Sequence, residues 1–139
     1  MFKKILLAAD GSEHSLRAAE KAIMIAQCHE EANVKVVYVV DGAASKEDVL
    51  HNWDSLGIAE KRKGKVNTIL KKAEEVGISY ELKFLRGEPG PTIVEYANLN
   101  HFDLVVIGSR GLNSLQEMIL GSVSHKVAKR ANCPVMIVK

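Results

Sequence analysis

Four segments of this chain are apolar at nearly every position: Ile5–Ala9, Val34–Val40, Leu104–Ile107 and Pro134–Val138. A strand with one wet face alternates apolar and polar residues. These do not, so both of their faces must be covered. Strands of that kind belong to parallel sheets with a helical layer on each side. The intervening segments have the matching helical period. Leu16, Ala19, Ile23 and Ala26 recur at i, i+3, i+7 and i+10, with Ser12 as the expected N-cap. Val66, Ile69, Leu70, Ala73 and Val76 form a second helical face that Gly77 should end. Pro89 and Pro91 suit the first turn of a third helix, where an amide donor is not needed. Val123, Val127, Ala128 and Ala131 mark the last.

A fifth strand, Ile78–Leu85, differs: Ile78, Tyr80, Leu82 and Phe84 alternate with polar residues, which places it nearer an edge. Strands and helices therefore alternate from end to end. The reading is a single-domain α/β protein over residues 1–139, with an open parallel five-stranded sheet and helices on both faces. A length of 139 residues suits one core of this type.

Composition excludes several function classes. The formal net charge of +2 is too small to point to nucleic acid or an anionic membrane. The basic run Lys61–Lys65 reads as a solvated helix face. No apolar run approaches the ~20 residues that span a bilayer. The N-terminal run Ile5–Ala9 is too short for a signal peptide, so a cytoplasmic location is expected. Cys28 and Cys133 lack metal or redox spacing and read as buried free thiols. The five histidines, His14, His29, His51, His101 and His125, show no metal spacing and read as surface or cap residues.

The glycines after the fourth strand carry the chemistry. "DLVVIGSRGLNSLQEMILGSVSHKV" ends a buried strand in Gly108, places Gly111 three residues on, and Gly121-Ser122 ten residues later. Glycine lets backbone amides approach a ligand closely, and successive amides in such a turn form an anion-binding nest. Gly121-Ser122 opens a helix, whose free amides and positive dipole end favour phosphate. The hydroxyls of Ser122 and Ser124 are candidate additional donors. Ser114–Glu117 looks like a capping box, so a short helix is expected between the two glycine elements. In open α/β sheets ligands bind beyond the carboxyl ends of the strands, where strand order reverses. Asp10 ends strand one as Gly108 ends strand four. If those strands are neighbours, both loops open onto one crevice. Neither a P-loop nor a dinucleotide fingerprint is present.

Gly108-x-x-Gly111, nine residues, then Gly121-Ser122 is similar to the G-2x-G-9x-G-[S/T] motif of the ATP-binding branch of the universal stress protein family. "ILLAADGSEHS", "GEPGPTIVEYA" and "CPVMIVK" resemble that family's first strand and turn, its G-x-P segment and its last strand. The resemblance covers the chain except Ala43–Lys65. It implies a sheet ordered 3-2-1-4-5, a Rossmann-like arrangement, and ATP as the ligand. It further implies that Asp10 approaches the ribose or a phosphate-bound metal and that Val39 bonds adenine through its backbone. Gly108, Ser109, Gly111, Gly121, Ser122, Val123 and Ser124 would cradle the phosphates. Arg110, at a variable motif position, is an added phosphate candidate, and Ala43–Lys65 a candidate lid carrying Trp53. Polyphosphate is usually bound with Mg²⁺ or Mn²⁺, and Asp10 is the carboxylate at the right strand end.

No nucleophile elbow, triad or general-base constellation is present, so no catalytic residue is assigned. The expectation is a nucleotide-binding regulatory module in stress response, with slow or no ATP hydrolysis. The alternative is a weak ATPase or nucleotide-dependent transferase, which would ask for a placed base and more cationic groups. A receiver-type phosphorylation domain would need an acidic pair after strand one, where this chain has Asp10-Gly11. In the 3-2-1-4-5 order the last strand lies at an edge with little to protect it, and a homodimer through that strand is expected.

Overall fold

In the computed structural model, residues 2–10, 12–40, 60–110 and 121–139 are described. They form, in chain order, β1 (Lys4–Ala9), α1 (Glu13–Ala26), β2 (Asn33–Val40), α2 (Glu60–Glu75), β3 (Ser79–Arg86), α3 (Pro89–Leu99), β4 (Leu104–Gly108), α4 (Ser122–Arg130) and β5 (Val135–Val138). The five strands make one sheet in the order β3-β2-β1-β4-β5. Every neighbouring pair is parallel, with Ile5 opposite Val34 and Leu104, Val34 opposite Tyr80, and Val106 opposite Met136. The expected order and the edge position of β3 both hold. The shorter Ser114–Glu117 element, Gly111 and most of Ala43–Lys65, Trp53 included, lie outside the described residues.

Alternation along each strand sorts side chains into two cores. Ile5, Leu7, Ala9, Val34, Val36, Leu104 and Val106 pack with Ala19, Ala22 and Ala26 of α1 and Ile69 of α2. On the opposite face, Leu6, Ala8, Val37, Val105 and Ile107 pack with Ile93 and Ala97 of α3 and Val127 of α4. That double coverage is why the central strands read as continuous apolar runs. Leu6, Val105 and Val106 are wholly buried.

The amino ends of the strands are tied by Asp103, whose Oδ2 accepts the backbone N–H groups of Lys3 (3.1 Å) and Lys4 (2.9 Å). Helix boundaries follow their expected signals. Gly77 takes a φ of +75° just past α2, and Pro89 opens α3. Two expectations about burial are corrected. Val76 is exposed because α2 ends at Glu75, before the apolar period reaches it. Ala128 is exposed as well: the core-facing positions of the last helix are Val123, Val127 and Ala131, four residues apart, and Ala128 is one step round the helix.

The cysteines are free as expected but not buried. Cys28 is exposed in the turn after α1, and Cys133 is half-buried. The apolar content of α1 fills its inner face without Cys28. Finally, β5 is less covered than its composition suggests. None of its four residues is fully buried, and Met136 is 36 % exposed.

Candidate functional site

Because all five strands run the same way, their carboxyl ends share one edge of the sheet. The chain proceeds outward from β1 to β3, then returns to the other side of β1 for β4 and β5. Strand order therefore reverses between β1 and β4, and the crevice expected there is the one bounded by Asp10 and Gly108.

On the β1 side, Asp10 leads into α1 through a tight turn. The Ser12 N–H donates to Asp10 Oδ1 (2.9 Å), and the Asp10 N–H donates to Ser15 Oγ (3.1 Å). Ser12 is the N-cap of α1, its Oγ accepting the Ser15 N–H at 3.1 Å. These bonds hold the Asp10 carboxylate at the strand end.

On the β4 side, the segment after Gly108 is held by protein contacts at several atoms. The Ser109 N–H donates to the Val138 carbonyl, and the Ser109 carbonyl accepts the Gly121 N–H, each at 2.7 Å. Ser124 Oγ donates to the Gly108 carbonyl at 2.6 Å. The start of α4 is thereby fixed directly beyond β4. Among the described residues no side chain caps α4: its N-cap is Gly121, and its first turn is Ser122, Val123 and Ser124. Basic residues, Lys129 and Arg130, occupy its last turn. A helix start placed beyond a strand end presents backbone N–H groups and positive dipole, which together favour an anion.

The structure thus brings Asp10, Gly108, Ser109, Gly121, Ser122, Val123 and Ser124 to the β1–β4 end of the sheet. Arg110 continues that segment and is half-buried. Val39 lies near the end of β2, the strand on the other side of β1, opposite Leu85 of β3. Gly111 lies outside the described residues.

Two roles differ from expectation in detail. The single Ser124 hydroxyl hydrogen is used within the protein, since Ser124 is 2 % exposed and donates to Gly108. Ser122, which is exposed, keeps its hydroxyl at the surface. Gly108 has a packing reason to be glycine: a Cβ there would stand 2.7 Å from His14 Cβ and 2.9 Å from the His14 carbonyl carbon. The close approach is to α1.

His14 is the site residue that sequence reasoning missed. Its Nδ1 shares a hydrogen bond of 3.2 Å with Ser109 Oγ, across the crevice end from α1 to β4. Its position in the first helical turn after Asp10 was the available signal. The other described histidines have surface or turn roles: His29 Nδ1 accepts the Glu31 N–H at 3.0 Å, His101 takes a φ of +52° after α3, and His125 is exposed.

Among the described residues, no three His, Cys, Asp or Glu side chains group as a metal site. A lone Asp10 carboxylate fits a divalent cation carried mainly by phosphate oxygens and water, as Mg²⁺ commonly is. Among the described residues no helix is long and apolar enough to cross a membrane.

Comparison with known proteins agrees with the fold described above. The universal stress protein family matches residues 1–139. Universal stress protein MJ0531 of Methanocaldococcus jannaschii is 37% identical over all of this chain and 83% of its own length. A universal stress protein solved in complex with cAMP superposes with a TM-score of 0.73 at 27% identity, covering 97% of this chain and 95% of that one. An Arabidopsis thaliana family member with AMP bound gives a TM-score of 0.71 at 25% identity, covering 99% and 91%. The chain belongs to the universal stress protein family.

Proposed function

We propose that this protein is an ATP-binding regulatory module of the cytoplasmic stress response, holding the nucleotide in the crevice beyond β1 and β4. The observation that carries this reading is the start of α4 at Gly121, fixed beyond β4 by the Ser109 and Ser124 bonds beside the Asp10 turn. Phosphates would take the first-turn amides of Ser122, Val123 and Ser124, with Gly111 and Arg110 as further candidate donors; the Ser109 amide is already bound to Val138. Adenine would lie toward β2 and meet the backbone of Val39. Asp10 would face the ribose or a phosphate-bound Mg²⁺ or Mn²⁺. Complexes of two structural relatives with AMP and cAMP support an adenine nucleotide as the ligand class. The triphosphate is favoured by the sequence resemblance to the G-2x-G-9x-G-[S/T] motif at Gly108, Gly111 and Gly121-Ser122.

Hydrolysis is slow or absent in this reading. In-line attack by water needs a group to orient the water and cations to neutralise developing charge. Asp10 is tied into its turn by the Ser12 N–H. We further propose that the protein acts as a homodimer through β5.

Titration calorimetry with Mg-ATP tests the binding. Saturable heat is expected, displaced by AMP. Absence of binding at millimolar nucleotide overturns the reading. A turnover assay on the same preparation separates a binding module from an ATPase.

A further inference from the structure

We propose that His14 is a positioning residue for the phosphates of the bound nucleotide, acting through Ser109. The inference rests on the nucleotide-binding reading and names a residue outside the glycine motif.

Ser109 is a junction. Its amide binds β5 through Val138, its carbonyl binds the start of α4 through Gly121, and its hydroxyl binds α1 through His14. With 4 % of its surface exposed, its hydroxyl acts as an internal tie. The crevice has two described walls: the β1–α1 turn with Asp10, and the end of β4 with the start of α4 at Gly121. The path His14–Ser109–Gly121 runs from the first wall to the N-cap of the second. His14 also meets β4 by its backbone, in the contact that Gly108 makes possible. One residue therefore sets both the depth and the lateral register of α1 against the phosphate-binding segment. Binding is strongest when donors are already held at the working spacing, because little ordering remains to be done. Losing the tie leaves a buried hydroxyl without its partner and frees the segment to shift.

The side chain acts through a group at the Nδ1 position, and asparagine places an amide nitrogen at a similar distance from Cβ. Leucine keeps the Cβ and the bulk but offers no polar atom. Affinities for ATP and adenosine are measured by calorimetry on the wild-type protein, His14→Asn, His14→Leu, Ser109→Ala and the His14→Leu/Ser109→Ala double variant, each checked by thermal melting. The expected result is an about tenfold weaker ATP affinity for His14→Leu, the scale of one lost buried hydrogen bond. His14→Asn should stay within about twofold of wild type, on the same scale. In the Ser109→Ala background, His14→Leu should have no further effect. Adenosine, which lacks phosphate, should bind all variants alike.

The proposal is overturned by unchanged ATP affinity in a folded His14→Leu protein, or by His14→Asn losing as much as His14→Leu. It is equally overturned by an undiminished His14→Leu effect without the Ser109 hydroxyl, or by equal losses for adenosine. If His14→Leu does not fold, the Ser109→Ala and His14→Asn arms decide it: a wild-type ATP affinity in Ser109→Ala sinks it. Wild-type protein that binds no adenine nucleotide overturns the nucleotide reading as well, so the two failures are told apart.

Discussion

Ser124 donates its hydroxyl to the carbonyl of Gly108 at 2.6 Å, joining the first turn of α4 to the end of β4. Both residues are buried, so the bond is sheltered from water. Ser124→Ala removes the donor and leaves a buried carbonyl with one partner fewer, a loss of about 1 kcal/mol of stability. Urea unfolding with an unchanged denaturant slope measures it. ATP affinity should fall too, since the start of α4 is no longer anchored. Full affinity in Ser124→Ala would mean that Gly121 and Ser109 hold the helix start unaided.

Gly108→Ala sets two effects against each other. Replacing a strand glycine stabilises by roughly 0.4–1 kcal/mol through the unfolded chain when the site tolerates a side chain. Here the new methyl would sit 2.7 Å from His14 Cβ, 2.9 Å from its carbonyl carbon and 3.0 Å from its carbonyl oxygen. Two of those atoms are backbone and cannot swing aside, so α1 must move. Overpacking of that kind costs roughly 1–3 kcal/mol and wins. A lowered urea midpoint is expected, and a midpoint at or above that of the wild type would contradict the contact.

Asp10→Asn separates charge from shape. The asparagine carbonyl can still accept the Ser12 N–H, so the turn and the melting temperature should persist. The negative charge that would face a phosphate-bound cation in the proposed complex is lost. ATP affinity in the presence of Mg²⁺ is expected to fall, with less change when the metal is chelated. Calorimetry with and without Mg²⁺ reads this directly, and identical values for both proteins would remove Asp10 from the site.

Much of this architecture was legible because the strands speak in a strong code. Ile5–Ala9 and Leu104–Ile107 have no polar face, which only a doubly covered parallel sheet explains, and Gly121-Ser122 marked a helix start correctly. What the sequence hid were relationships between distant residues. Nothing local to His14 shows that it meets Ser109, 95 positions away, and Gly108 read as a ligand-facing glycine although a helix packs on it. Burial at the margins was equally hidden. Cys28 looks like a core residue by type, yet it falls just beyond the inner face of α1.

The two thiols should differ in reactivity. Cys28 is exposed. Burial pushes the Cys133 thiol above its ordinary range, and the nearby Asp103 charge adds to that. A raised value means less thiolate at a given pH, and the thiolate is the reacting form. Maleimide labelling followed by peptide mass mapping should find Cys28 modified first. Cys133 should follow slowly, and faster as the pH is raised. Equal rates at mildly alkaline pH would show that Cys133 is open to solvent.

The edge strand makes the last prediction. β5 is apolar from Pro134 to Val138, yet among the described strands it borders only β4 and leaves Met136 36 % exposed. An edge of this kind carries backbone N–H and C=O groups with no neighbouring strand, and apolar side chains that gain by being covered. Antiparallel pairing with β5 of a second copy across a two-fold axis would satisfy both needs in a closed assembly. Light scattering at micromolar concentration is expected to give twice the chain mass. Ile137→Pro should return it to the monomer. Pro134 and Val138 turn their carbonyls to β4, so the alternate Ile137 N–H faces the open edge. Proline there removes that donor and disrupts pairing across the edge. Proline at an edge can be tolerated within its own sheet, so the variant is first checked for a cooperative melt. A wild-type monomer, or a folded Ile137→Pro protein that still scatters as a dimer, rules this interface out.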